Sequence, residues 1–256
     1  MIRKTWNADK WLLTSQPEHA RLAAIIATAW NFEGAKPHEE VMKAIISHDD
    51  GWKDAEKVPP VKANGDPCSF HEMQASSAVP IFERSIQLRR ESGQLYATLI
   101  IAGHFLHLVE SADLSRASVK DSVEAGQFIA RQRRNIEALK AEIRKDDAGQ
   151  DILKNYAKDL RFLQVCDYLS LLLCTDFNGE ETIENVPYLR DISQIKVTRK
   201  SSNLALTLDP LPFKKNLRDH LTSWIIPYIP YETSEELASA MEEVKTTTTE
   251  VHFGAA

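Results

Sequence analysis

His48 and Asp49 stand side by side in Ser47-His48-Asp49-Asp50-Gly51-Trp52, where a strongly apolar segment runs out. An imidazole and a carboxylate on neighbouring residues can ligate one metal ion together. Three more histidines and one more aspartate sit in comparable settings. His19 recurs with Leu22, Ala23, Ile26 and Trp30 at three- and four-residue steps, which places it on the inward stripe of a helix. His48 follows Val41, Ala44 and Ile45 in the same way. His104 and His107 lie on adjacent turns of Tyr96 to Val109, a run apolar nearly all round that reads as a central helix. Asp167 falls on a stripe with Ile152, Tyr156, Leu160, Leu163, Leu171 and Cys174, where a lone carboxylate is costly.

Taken singly, each residue fits an ordinary core position as well as a ligand. A buried histidine can bond a neighbouring helix, Asp167 can meet a tyrosine or an arginine, and His48 gains from the negative end of a helix. Taken together, four apolar helices that spend interior positions on good ligand types point to a shared cation. The mixed nitrogen and oxygen donors suit one or two divalent ions, manganese, iron or zinc ahead of magnesium. Such ions lower the pKa of water to about 7 and, paired at roughly 3.5 to 4 Å, clamp the attacking and leaving oxygens of a phosphoester. Asp50 is the candidate catalytic group, orienting an imidazole or the attacking water. Gln16, one turn before His19, and Lys53 and His107 are candidates for touching substrate or backing the ligands. A solvated Asp50, an exposed Lys53 and a Gln16 bonded to backbone are the ordinary alternatives.

The elements that must position these groups are legible in outline. Ser15-Gln16-Pro17-Glu18 reads as a capping box that starts the His19 helix. A second helix begins near Pro37 and ends near Gly51 as a left-handed cap. A third covers Tyr96 to Val109, and a long one carries Ile152 through Cys174. Between Trp52 and Ile81, Pro59-Pro60, Asn64-Gly65-Asp66-Pro67 and Ser76-Ser77 describe a long loop, placed to cover the cavity and carrying Phe70 and His71. Met1 to Trp6 and Trp11 to Thr14 suggest a hairpin before the helices. After Asn178, Ile192 to Thr198, the turn Ser201-Ser202-Asn203, Leu204 to Leu208, Leu217 to Ile229 and Thr246 to Val251 alternate like strands, with a helix near Ser234 to Val244.

In this order and setting, His19, His48-Asp49 and Asp167 resemble the HD superfamily of metal-dependent phosphohydrolases, with AIISHDDG and VCDYLSL as two of the ligand-bearing segments. More closely, Gln16-Pro17-Glu18-His19-Ala20, His48-Asp49-Asp50-Gly51-Trp52, Gly65-Asp66-Pro67, His104-Phe105 and Asp167-Tyr168-Leu169-Ser170-Leu171 resemble a bacterial family known only as a domain of unknown function. The superfamily resemblance implies that His19, His48, Asp49 and Asp167 ligate one ion and that His104 serves a second. It implies an HD-like helical bundle over 15–177 and so a mainly α fold; the strand patterns add a hairpin over 1–14 and a small antiparallel β appendage with one helix over 178–256, with which the hairpin is a candidate to pair. Trp52 departs from the lysine that many HD hydrolases carry after the glycine; Lys53 either substitutes for it or is simply exposed. The implied activity is hydrolysis of a small phosphoester or nucleotide-like metabolite. The alternatives are a di-iron oxygenase on the same ligands, or a non-catalytic binding protein with a degenerate site.

Composition limits the partners. The chain has 256 residues, 43% apolar and 27% charged, enough to bury a substantial core. A net charge of −6 and a pI of about 5.8, with no dense basic tract among aromatics, argue against nucleic acid, and a small-molecule substrate is what the resemblance implies. Arg131-Gln132-Arg133-Arg134 reads as the wet face of a helix. Cys68, Cys166 and Cys174 have no paired spacing, and the start of the chain lacks a charged-then-apolar leader, so a reducing cytoplasm is expected. Tyr96 to Val109 is too short to cross a bilayer, so no membrane is expected, and self-association is left open.

Overall fold

The computed structural model describes residues 1–32, 36–115, 117–189, 193–199 and 204–256. Strands β1 (Ile2–Asn7) and β2 (Lys10–Thr14) precede helices α1 (Gln16–Ala29), α2 (Glu39–Ser47), α3 (Trp52–Ala55), α4 (Ala75–Glu91), α5 (Leu95–Ser111), α6 (Val119–Ile143), α7 (Asp147–Leu153) and α8 (Tyr156–Cys174). Strands β3 (Gly179–Glu184), β4 (Gln194–Arg199), β5 (Ala205–Asp209) and β6 (Leu217–Pro227), helix α9 (Ser234–Val244) and strand β7 (Thr246–Ala255) complete the described elements. Ile192 and the expected turn Ser201-Ser202-Asn203 lie outside the described residues.

All seven strands join one sheet in the order β1-β2-β6-β7-β5-β4-β3. The β5–β7 pair is parallel and the other five are antiparallel. This corrects the expectation of a mainly α protein with a small antiparallel appendage: about half of the chain is helix and 22% is strand, in one mixed sheet. The physical reason lies in alternation. Ile2 and Leu12 point to the helical side and join its core, whereas Met1, Trp11 and Leu13 point the other way and pack with Leu237 and Met241 of α9. A strand apolar on both faces needs cover on both sides, and the hairpin finds it by pairing Leu12 with Ile225 of β6.

The sheet is also what holds the helices in place. The last carbonyls of α8 are met by Arg199 of β4, whose guanidinium donates to Leu172 and Leu173 at 2.9 and 3.0 Å, and by Lys4 of β1, which donates to Thr175 at 3.1 Å. On the outer side of β1, the Arg3 amide donates to Ser69 Oγ at 3.3 Å and the Thr5 amide to Asp176 Oδ1 at 2.9 Å, while the Met1 carbonyl accepts from the Phe70 amide at 2.9 Å.

Two helix boundaries differ from expectation. The single long helix Ile152 to Cys174 is two, α7 and α8, separated at Lys154 and Asn155. Gly51 is not a left-handed cap, since its φ is −64°. It is needed for space instead: a Cβ there would lie 2.7 Å from the Ser85 amide nitrogen and closer still to the Ile81 carbonyl.

Candidate metal centre

Helix α1 begins at Ser15, whose hydroxyl accepts from the Glu18 amide at 3.2 Å. Only half of the expected capping box forms. The Glu18 carboxylate accepts instead from the Thr222 amide of β6 at 2.8 Å and from Arg21, which reaches on to Asp219 at 2.8 Å. These bonds pin α1 to the sheet and turn His19 inward. His48 follows the last residue of α2, and its Nδ1 lies 2.8 Å from the Ile45 carbonyl. Behind the doublet, the Gly51 amide donates to Ser85 Oγ of α4 at 2.9 Å. Helices α5 and α8 supply His104 and Asp167.

The four helices bring the five expected ligands together. His19 Nε2 lies 3.1 Å from both Asp49 Oδ2 and Asp167 Oδ1, and His48 Nε2 lies 3.3 and 3.1 Å from the same two atoms. His104 Nε2 is 3.9 Å from Asp167 Oδ2. His19, His48 and Asp49 form one set of donors and His48, His104 and Asp167 another, each with its atoms within 4.8 Å of one another, and all five residues are buried. His48 is common to both sets. His104 Nδ1 is buried with no hydrogen-bond partner among the described residues. Buried nitrogen and carboxylate donors converging in this way fit a divalent cation of the kind expected.

Electrostatics separate the three rings. Burial alone would lower the His48 pKa, but the neighbouring Asp49 and Asp167 carboxylates outweigh it and raise it to about 9. His19 is raised in the same way, against its own burial, by Asp167 and Asp49. Burial dominates at His104 and lowers it to about 4, so its ring is neutral at pH 7, the form that ligates metals. Burial would raise the Asp167 carboxyl, yet hydrogen bonding from His19 and His48 holds it far below the usual carboxylate range.

The remaining candidates divide. Asp50 does not back an imidazole: its carboxylate is held between Lys53 at 2.8 Å and Arg89 at 3.1 Å. Lys53 is largely exposed beside it. His107, expected on the same face as His104, is exposed on α5 and stays out of the cluster. Gln16 is buried, with its amide oxygen lacking a hydrogen-bond partner among the described residues. The loop expected to cover the cavity lines a different hollow. Phe70 to Gln74 close one side of an apolar groove of about 610 Å³ between α4, α5 and α6. Burial pushes the thiols of Cys166 and Cys174 up, the latter to about 12, and Cys68 is raised by burial and Glu72, so none is an activated nucleophile.

One buried residue at the cluster was not singled out from the sequence. Ser170 Oγ lies 2.6 Å from His19 Nδ1. Its position three residues after Asp167, hence on the same face of α8, is a signal that was available.

An α+β scaffold with a buried His/Asp centre is thus the class that fold and site define. Residues 1–222 match the family described as Protein of unknown function (DUF3891), and the chain belongs to that family. Searches of curated proteins and of solved structures gave no match.

Proposed function

We propose that this protein is a metal-dependent hydrolase of a small phosphoester or nucleotide-like metabolite. One observation carries the reading. Asp49 and Asp167 are buried, and among the described residues imidazoles are their only ion-pair partners. Two carboxylates taken out of water need cations beside them: protonated imidazoles serve in the metal-free protein, and a divalent cation that displaced those protons would offset both carboxylates at once. His19, His48, Asp49 and Asp167 are the residues to hold it, with His104 completing a second donor set around His48. A bound ion would supply Lewis acidity toward water and a phosphoryl oxygen.

The chain's own groups have separate tasks. The neutral His104 ring offers a lone pair without adding charge. Gln16, whose buried amide oxygen lacks a partner among the described residues, is assigned in this reading to accept from a substrate hydroxyl. Lys53, exposed beside Asp50, is the cation assigned to an anionic substrate in this reading, and Arg89 braces Asp50 from α4.

The test is elemental analysis of the purified protein beside Asp167→Asn and a His48→Ala, Asp49→Ala double variant, each shown to be folded by circular dichroism. The expected result is near-stoichiometric manganese, iron or zinc that both variants lose, with metal-dependent release of phosphate from a panel of phosphoesters. Unchanged metal content in the folded variants, or no metal binding by the wild type after reconstitution, sinks the reading. Two irons per chain with oxygen consumption and no phosphate release would replace the hydrolase by an oxygenase.

A further inference from the structure

We propose that Ser170 is the positioning residue that arms the centre, by forcing His19 into the tautomer whose free lone pair faces the two carboxylates. The proposal rests on the metal-centre reading above. Its geometry is a directed chain. The Ser170 hydroxyl donates to the Asp167 carbonyl at 2.7 Å, and a carbonyl can only accept. With its one proton committed there, Ser170 Oγ can only accept from His19 Nδ1, 2.6 Å away. In the neutral ring Nδ1 therefore carries the hydrogen and Nε2 is bare. His48 reaches the same state independently, because its Nδ1 donates to the Ile45 carbonyl at 2.8 Å.

In the neutral ring a bare Nε2 3.1 Å from two carboxylate oxygens would set three electron-rich atoms together. That arrangement is resolved by a cation, whether a proton or a metal ion. Without Ser170 the ring has another way out: the hydrogen moves to Nε2 and donates to Asp49 or Asp167, and the cluster becomes a self-satisfied polar core. That closed network competes with metal. Ser170 removes it, and because the same hydroxyl holds the Asp167 backbone, ring orientation and carboxylate position are set by one side chain with 0% exposure. Outer partners of metal-bound histidines act in this way, and losing one typically costs 10- to 100-fold in metal affinity.

The experiment compares the wild type with Ser170→Ala, Ser170→Thr and, as a control, Ser47→Ala. Ser47 is also buried, but its hydroxyl donates to the Lys43 carbonyl at 2.6 Å and touches no ring. Two readouts are taken: the Mn²⁺ dissociation constant, and the ¹⁵N imidazole shifts of His19 in the metal-free protein at alkaline pH, which report the protonated nitrogen directly. The expected result is a protonated Nδ1 in the wild type and in Ser170→Thr, and a hydrogen moved wholly or partly to Nε2 in Ser170→Ala. Mn²⁺ affinity should fall about 10- to 100-fold in Ser170→Ala, recover in Ser170→Thr and stay unchanged in Ser47→Ala. A protonated Nε2 in the wild type, or a Ser170→Ala variant with wild-type tautomer and affinity, overturns the proposal. If the wild type binds no metal at all, the hydrolase reading fails, while the nitrogen shifts still decide the role of Ser170.

Discussion

Two aspartates on α8 show how the same side chain is treated in opposite ways. Asp167 is held ionised by imidazoles, whereas Asp159 meets two phenols, Tyr96 donating to Oδ2 at 2.6 Å and Tyr188 to Oδ1. Burial raises the Asp159 pKa above its ordinary 3.8, and the tyrosine bonds only partly oppose it. The folded state therefore binds this proton more tightly than the unfolded chain does. The contribution of Asp159 to stability is full below 3.8 and is lost as pH rises through the higher folded value. Asp159→Asn should remove that slope. Urea midpoints of the two proteins across mildly acidic pH should diverge with the wild type losing relative stability as pH rises, and parallel curves would refute the assignment.

At the scale of elements, α8 depends on the sheet. Its carbonyls at Leu172, Leu173 and Thr175 are buried against Arg199 and Lys4, so the helix that carries Asp167 and Ser170 is terminated by side chains from two strands. Arg199→Met leaves those acceptors without the guanidinium, at about 1–3 kcal/mol per buried group. A clear drop in thermal midpoint together with weaker metal retention is expected, and a variant as stable as wild type would show that the clamp is dispensable. The helices that bear ligands were legible because their 3.6-residue periodicity is local: the stripes through His19, His48, His104 and Asp167 need only neighbours in sequence. His107 misled because a run apolar nearly all round does not reveal which side meets solvent. The sheet was read only in pieces because its order is not written locally. Nothing within β7 announces that it lies between β6 and β5, and although the hairpin is a candidate to pair with the C-terminal strands, nothing within β2 names β6 as its partner.

At the scale of the molecule, helices and strands share one core. Leu22, Ile45, Phe105 and Leu169 belong to the same buried cluster as Leu12, Val197, Leu221 and Phe253. A cut after Phe177 would take Val197, Leu221 and Phe253, with strands β3 to β7, out of that core. Unfolding in urea followed by far-UV circular dichroism and by tryptophan fluorescence should therefore give one coincident transition. The fragment ending at 177 should show none. Separate transitions, or a folded fragment, would mean that the helical body stands alone.

The hydrogen bonds along the outer side of β1 bear on solubility. An edge strand with free amides and carbonyls is a template on which another chain can add, strand by strand, into an aggregate. Here Ser69, Phe70 and Asp176 occupy those groups, and at the opposite margin β3 carries exposed Glu180, paired with Lys196, and exposed Glu184, charged side chains that disfavour an added strand. Of these guards Asp176 is the easiest to remove, since it is exposed and bonds both the amide and the hydroxyl of Thr5. Asp176→Ala should leave the protein folded yet raise the light scattering of concentrated solutions on warming.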